Sequence, residues 1–102
     1  MLLAGLALTA AGCSGRDARP TLHRVVITRF QFQPPVLEIA SGDTVEWSNQ
    51  DLVPHTATAT DGRWDSNSIA PDTAWRFVPV GKGLMAYGCR FHPNMKARLV
   101  VR

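Results

Sequence analysis

The chain has 102 residues, room for one small domain. Its 11 Lys and Arg stand against 8 Asp and Glu, and the net charge of +3 is spread along the chain without the basic clusters of a nucleic-acid binder. Hydrophobic residues at 45%, frequent Val and Thr, and 7 Pro and 8 Gly favour strands joined by turns over helices.

The first segment reads as an address and not as part of a fold. Residues 1–12, MLLAGLALTAAG, are apolar and too short to span a bilayer as a helix, as in the h-region of a secretory signal. Ala10-Ala11-Gly12-Cys13 resembles a lipobox, in which Cys13 is lipidated and becomes the mature N-terminus. No basic region precedes the apolar run, which fits a start upstream of Met1, and Ala10 stands where leucine is usual. Residues 13–20 then form a polar tether between membrane anchor and domain. The expected location is the periplasm or cell envelope of a bacterium. An ordinary cleaved signal is the alternative. The cysteine count of two suggests a disulfide, but Cys13 and Cys89 each lie in a motif of their own.

From Thr21 to Arg102 the punctuation is regular, and this stretch is the folded domain. Leu22 to Phe30 is rich in Val and Ile and reads as one strand; Val36 to Ile39 is a second, stopped by the turn signal Ser41-Gly42-Asp43. Thr44 to Asn49 alternates, with Val45 and Trp47 on one face. Thr56 to Thr60 alternates Thr with Ala, and Asp61-Gly62 marks a turn. Ala74 to Val78 puts Trp75 and Phe77 together; Leu84 to Cys89 and Ala97 to Arg102 complete the set. Asp61 to Asp72 is irregular and reads as a loop or helical turn. About seven short strands at this spacing imply an all-β sandwich or small barrel.

One stretch carries chemistry. Tyr87 to Met95 holds Cys89, His92 and Met95 at the spacing C-x2-H-x2-M, and Pro54-His55 opens another strand upstream. Thiolate and thioether are soft donors that suit Cu(I), and imidazole keeps Cu(II) acceptable. Two His and one Cys in a plane with a weak axial Met is a known copper site class. A tight loop after a strand gathers Cys89, His92 and Met95, with Pro93 restricting His92 to extended backbone. His55 completes the plane from a neighbouring strand. Taken singly, each residue has a plainer reading: Cys89 a buried thiol, His92 a surface loop residue, Met95 a core filler, while His55 alone is ambiguous. His23 reads as a solvated strand histidine, and Trp47, Trp75, Phe77 and Tyr87 as core. Trp64 is either a docking residue or cover for the core. Arg90, Lys96 and Arg98 read by default as solvated charge, able to steer an acidic partner.

The motifs together resemble the cupredoxins, the blue copper proteins, from Leu22 to Val101. Gly42-Asp43-Thr44-Val45-Glu46-Trp47-Ser48-Asn49 is similar to the family strand G-D-x-V-x-W-x-N; Asp51 to Thr56 is similar to its first-ligand segment, and Phe32 to Pro35 to the turn before the second strand. The resemblance implies a Greek-key β-sandwich of seven to eight strands. It implies one copper ion held by His55, Cys89, His92 and Met95, and single-electron transfer outside the cytoplasm with a redox partner protein, by a monomer and not an enzyme. It also implies that His92 reaches the surface within an apolar ring, with Phe91, Pro93 and Pro34 or Pro35 as candidates. Many members carry asparagine directly after the first histidine. Here Thr56 stands there, with a hydroxyl and an N–H that can still tie the two ligand loops. Copper delivery or buffering is the rival on the same ligands, and a metal-free interaction module is the second. Zinc also suits Cys and His. A dinuclear copper site needs a second cysteine in the loop, and only Cys89 is there.

Overall fold

A computed structural model describes residues 19–102; the expected signal, Cys13 and most of the tether lie outside the described residues. Eight strands form: β1 (Leu22–Thr28), β2 (Gln31–Gln33), β3 (Val36–Ile39), β4 (Thr44–Asn49), β5 (Thr58–Ala59), β6 (Ala74–Phe77), β7 (Gly83–Gly88) and β8 (Lys96–Val101). They make two four-stranded sheets, ordered β2-β1-β4-β6 and β3-β8-β7-β5. Within them β1 runs parallel to β4 and β3 parallel to β8, while the other neighbours are antiparallel.

Alternation along the strands builds the core between the sheets. Val25 and Ile27 of β1, Val45 and Trp47 of β4, Met85 and Tyr87 of β7, and Leu99 and Val101 of β8 are all buried. Trp64 is buried too, 5.3 Å from Phe77 and 6.3 Å from Trp47 between ring centroids, so it covers the core and is not a docking residue. The outer face of the first sheet carries one cross-strand row. Glu46 of β4 takes Arg24 of β1 on one oxygen and Arg76 of β6 on the other, each at 2.8 Å. The Arg76 guanidinium first, then that of Arg24, hold the Glu46 carboxyl below its ordinary value.

Two expectations are corrected and a third is narrowed. The run Leu22 to Phe30 is one strand and a turn: β1 stops at Thr28, and Arg29 and Phe30 take left-handed backbone (φ 53° and 57°) and fold β2 back on β1. His23 is not simply solvated. Its Nε2 lies 2.8 Å from Asp43 Oδ2, and Asp43 also accepts the N–H of Thr21 and of Ala40, pinning the start of β1 to the turn before β4. The Thr21 N–H contributes most to holding the Asp43 carboxyl low, against the opposing effect of burial. The segment from Asp61 to Asp72 has no helix; it is laid against the strands by the bridges Thr58↔Asp65 and His55↔Ile69.

Candidate metal centre

Two segments meet at one pole of the sandwich: the stretch after β4 and the loop between β7 and β8. Asn49, fully buried at the end of β4, organises the first. Its amide donates to the carbonyls of Val53 and Ile69, both at 2.9 Å, and its oxygen accepts the Asp51 N–H. Every polar group of that side chain is engaged, so the chain from Asn49 to Val53 is held against residue 69. His55 is then locked by a reciprocal backbone pair with Ile69, at 3.2 and 2.7 Å.

The second segment is closed on itself. The Met95 N–H donates to the His92 carbonyl, which makes a turn across Pro93, and the Cys89 N–H donates to the Met95 carbonyl at 3.2 Å. Gly88 allows the closure: a Cβ there would sit 2.6 Å from the Met95 carbonyl oxygen.

The result brings three of the four predicted donors together. Cys89 Sγ is 3.8 Å from His55 Nδ1 and 3.6 Å from His92 Nδ1, and the three donor atoms all lie within 4.8 Å of one another. Donors about 2.0–2.3 Å from a central ion and spread in a plane lie about 3.8 Å apart, so the triangle fits one metal ion. His55 and Cys89 are buried and His92 is half-buried. Met95 is buried and lines cavities with both Cys89 and His92. The set of two imidazoles, one thiol and a thioether is soft, which fits copper better than a hard cation.

The outer contacts are specific. Asp51 Oδ2 is 2.7 Å from His55 Nε2, and a carboxylate there places the ring proton on Nε2 and leaves Nδ1 free to face Cys89. The same carboxylate accepts the N–H of Arg29 and Phe30. Burial opposes its charge, yet the Phe30 N–H, the His55 ring and the Arg29 N–H together bring Asp51 below the usual carboxylate value. The Thr56 N–H donates to Cys89 Sγ at 3.3 Å.

Thr56 ties the loops through its hydroxyl as well, because its Oγ1 accepts the Arg90 N–H at 2.8 Å. Its Oγ1 is also 2.9 Å from Thr58 Oγ1, which is 2.9 Å from Asp65 Oδ1. Ionised Asp65 can only accept, so the Thr58 proton goes to Asp65 and the Thr56 proton goes to Thr58. Arg90 Nε closes the ring on Asp65 Oδ2 at 3.0 Å. Arg90 is therefore engaged and not merely solvated, with its guanidinium also 5.9 Å from the Phe91 ring centroid.

The cleft beside His92 is lined by Phe30, Phe91, Pro93, Asn94 and Met95. Phe30 takes the place expected of Pro34 or Pro35, neither of which lines that cleft. Sequence reasoning did not give a role to Phe30, Asn49, Asp51 or Asp65. For Asp51 a signal exists: it stands four residues before His55 with a proline between them, a spacing that can return a carboxylate to the ring.

A two-sheet all-β sandwich with a His, His and Cys cluster at one pole defines a class of small metal-binding β domain. No family profile matches the chain. It is 27% identical to amicyanin of Paracoccus denitrificans, in a match covering 76% of this chain and 63% of that protein. It is 27% identical to amicyanin-alpha of Methylorubrum extorquens over 97% of this chain and 92% of that one. Its fold matches a purple cupredoxin from Nitrosopumilus maritimus with a TM-score of 0.71 and 26% identity, covering 78% of this chain and 99% of the other. In sequence and in fold the chain is similar to the cupredoxins.

Proposed function

We propose that this protein carries single electrons outside the cytoplasm on one copper ion, which His55 Nδ1, Cys89 Sγ, His92 Nδ1 and the Met95 thioether would hold. The observation that carries the reading is the convergence of three soft or borderline donors on one small, mostly buried triangle. Bound copper supplies the Cu(II)/Cu(I) couple. The residues around it supply fixity. Asn49 and the Ile69 pair hold His55, the Cys89–Met95 closure holds the loop, and the Thr56 hydroxyl joins the two. A ligand frame that moves little between oxidation states keeps the reorganisation at each transfer small. The Thr56 N–H to sulfur withdraws charge from the thiolate and so tunes the potential.

His92 is the ligand with partial access to solvent, and Phe30, Phe91 and Pro93 surround its cleft. A redox partner protein docks at this pole, and the electron passes through the His92 ring. Exposed Lys96 and Arg98 and the net charge of +3 favour an acidic partner face. With four positions filled by the protein, the centre has no open place for substrate, so the reading is a carrier and not an enzyme. Residues 1–12 direct export and Cys13 carries a lipid; Cys13→Ala is then expected to move the protein from membrane to soluble fractions of an expressing cell.

Titration of the full chain with Cu(II) tests the reading. One equivalent is expected to give an intense visible thiolate-to-copper band that bleaches on reduction and returns on oxidation. A colourless, weakly binding protein would leave the interaction module. A coloured protein that yields Cu(I) readily to a chelator would favour delivery.

A further inference from the structure

The two-residue turn between β1 and β2 is made of Arg29 and Phe30, both with positive φ. Turns of this hand favour asparagine and glycine, and a bulky aromatic there is strained. Core packing does not account for it, since Phe30 is 49% exposed. The ring instead stands perpendicular to both imidazoles, with centroids 5.3 Å from His55 and 4.9 Å from His92. Asp51 fixes the turn beneath it: Oδ1 accepts the Arg29 N–H at 2.6 Å, and Oδ2 accepts the Phe30 N–H at 2.9 Å. One carboxylate thus secures the His55 ring and the turn that presents Phe30.

The two histidines differ in what restrains them. His55 is fully buried and held through Nε2 by Asp51. His92 is half-buried on a short loop, and the Nδ1 contact with Cys89 is the one polar contact of its ring among the described residues. Its ring neighbours are Phe30 at 4.9 Å, the fixed His55 ring at 5.0 Å and, more distantly, Phe91 at 6.5 Å, so Phe30 is the nearest of the three. Strained backbone persists where the surroundings enforce it and gathers at functional sites. We propose that Phe30 is a positioning residue, a ring brace that keeps the His92 imidazole turned toward Cys89 and slows the loss of copper; this rests on the copper reading above.

The test compares the full chain with Phe30→Asn and Phe30→Tyr. Asparagine accepts the left-handed turn and lacks the ring, whereas tyrosine keeps the ring. Two readouts are taken: the rate at which a Cu(I) chelator strips the loaded protein, and the exchange broadening of the His92 ring signals by NMR in the metal-free protein. Phe30→Asn is expected to release Cu(I) roughly three- to tenfold faster, the scale of one lost aromatic pair, and to broaden the His92 signals. Its unfolding midpoint without metal should hold or rise, because the turn is relieved. Phe30→Tyr should match the parent in both readouts. Release at the parent rate in Phe30→Asn, equally fast release in Phe30→Tyr, or faster release with a lowered midpoint would each overturn the brace. If the parent chain gives no thiolate-to-copper band, the copper reading fails by itself. The ring signals then still decide the brace: equal His92 motion in the parent and in Phe30→Asn overturns it.

Discussion

Cys89→Ser is expected to abolish the visible band while leaving the protein folded. The band needs a sulfur donor, and a serine oxygen offers neither the softness nor the charge-transfer transition. Copper affinity should fall by more than the roughly 100-fold typical of losing an outer-shell partner, because a primary donor is removed. The metal-free fold should lose only about 1–2 kcal/mol, since a hydroxyl replaces a thiol of similar shape and the Thr56 N–H, 3.3 Å from the sulfur, can donate to the new oxygen. Absorption, electron paramagnetic resonance and a copper competition assay on the purified variant check the first two effects, and thermal unfolding the third. A retained band would remove Cys89 from the centre.

Gly88→Ala should damage the site through the backbone. The new methyl would meet the Met95 carbonyl oxygen at 2.6 Å, a distance that no side-chain rotation relieves. The same oxygen accepts the Cys89 N–H, so the loop must open where it is closed. Overpacking of this kind costs about 1–3 kcal/mol of stability. The effect on copper should be the larger one, about tenfold or more in affinity, because the displaced residues flank both Cys89 and Met95. Unfolding of the metal-free variant and copper competition are measured side by side. If stability falls with affinity untouched, the closure of this loop is a matter of folding alone.

Much of this architecture is readable from residue patterns, and the departures have physical reasons. β3 and β4 begin and end where turn chemistry and alternation put them. Three of the four candidate ligands, Cys89, His92 and Met95, stand out because their spacing is fixed by one tight loop, while His55 comes from a separate segment. The β1–β2 hairpin is hidden because Arg29-Phe30 has none of the usual turn residues, and the strain, about 1–3 kcal/mol for each such residue, is offset by contacts that local sequence does not display. The strand expected from Thr56 to Thr60 shrinks to Thr58–Ala59. The N–H of Thr56 is given to Cys89 and that of Ala57 to Ser66 Oγ, so neither is free for a ladder. The pairs Asp51 with His55 and Asp65 with Arg90 differ in the same respect: the first is local and could be suspected, while the second joins loops that only the tertiary fold brings together.

The parallel pairing of β1 with β4 and of β3 with β8 bears on the order of events in the life of the molecule. Parallel neighbours cannot be joined by hairpins, and the contacts that seat the centre span 34 residues between His55 and Cys89. Such long-range closure is entropically costly and comes late, so folding belongs to the slower, millisecond-to-second regime of sandwich topologies. The donors therefore exist as a set only once the chain has condensed. On the copper reading, the complete donor set meets its metal in a condensed scaffold, so full loading follows folding in time.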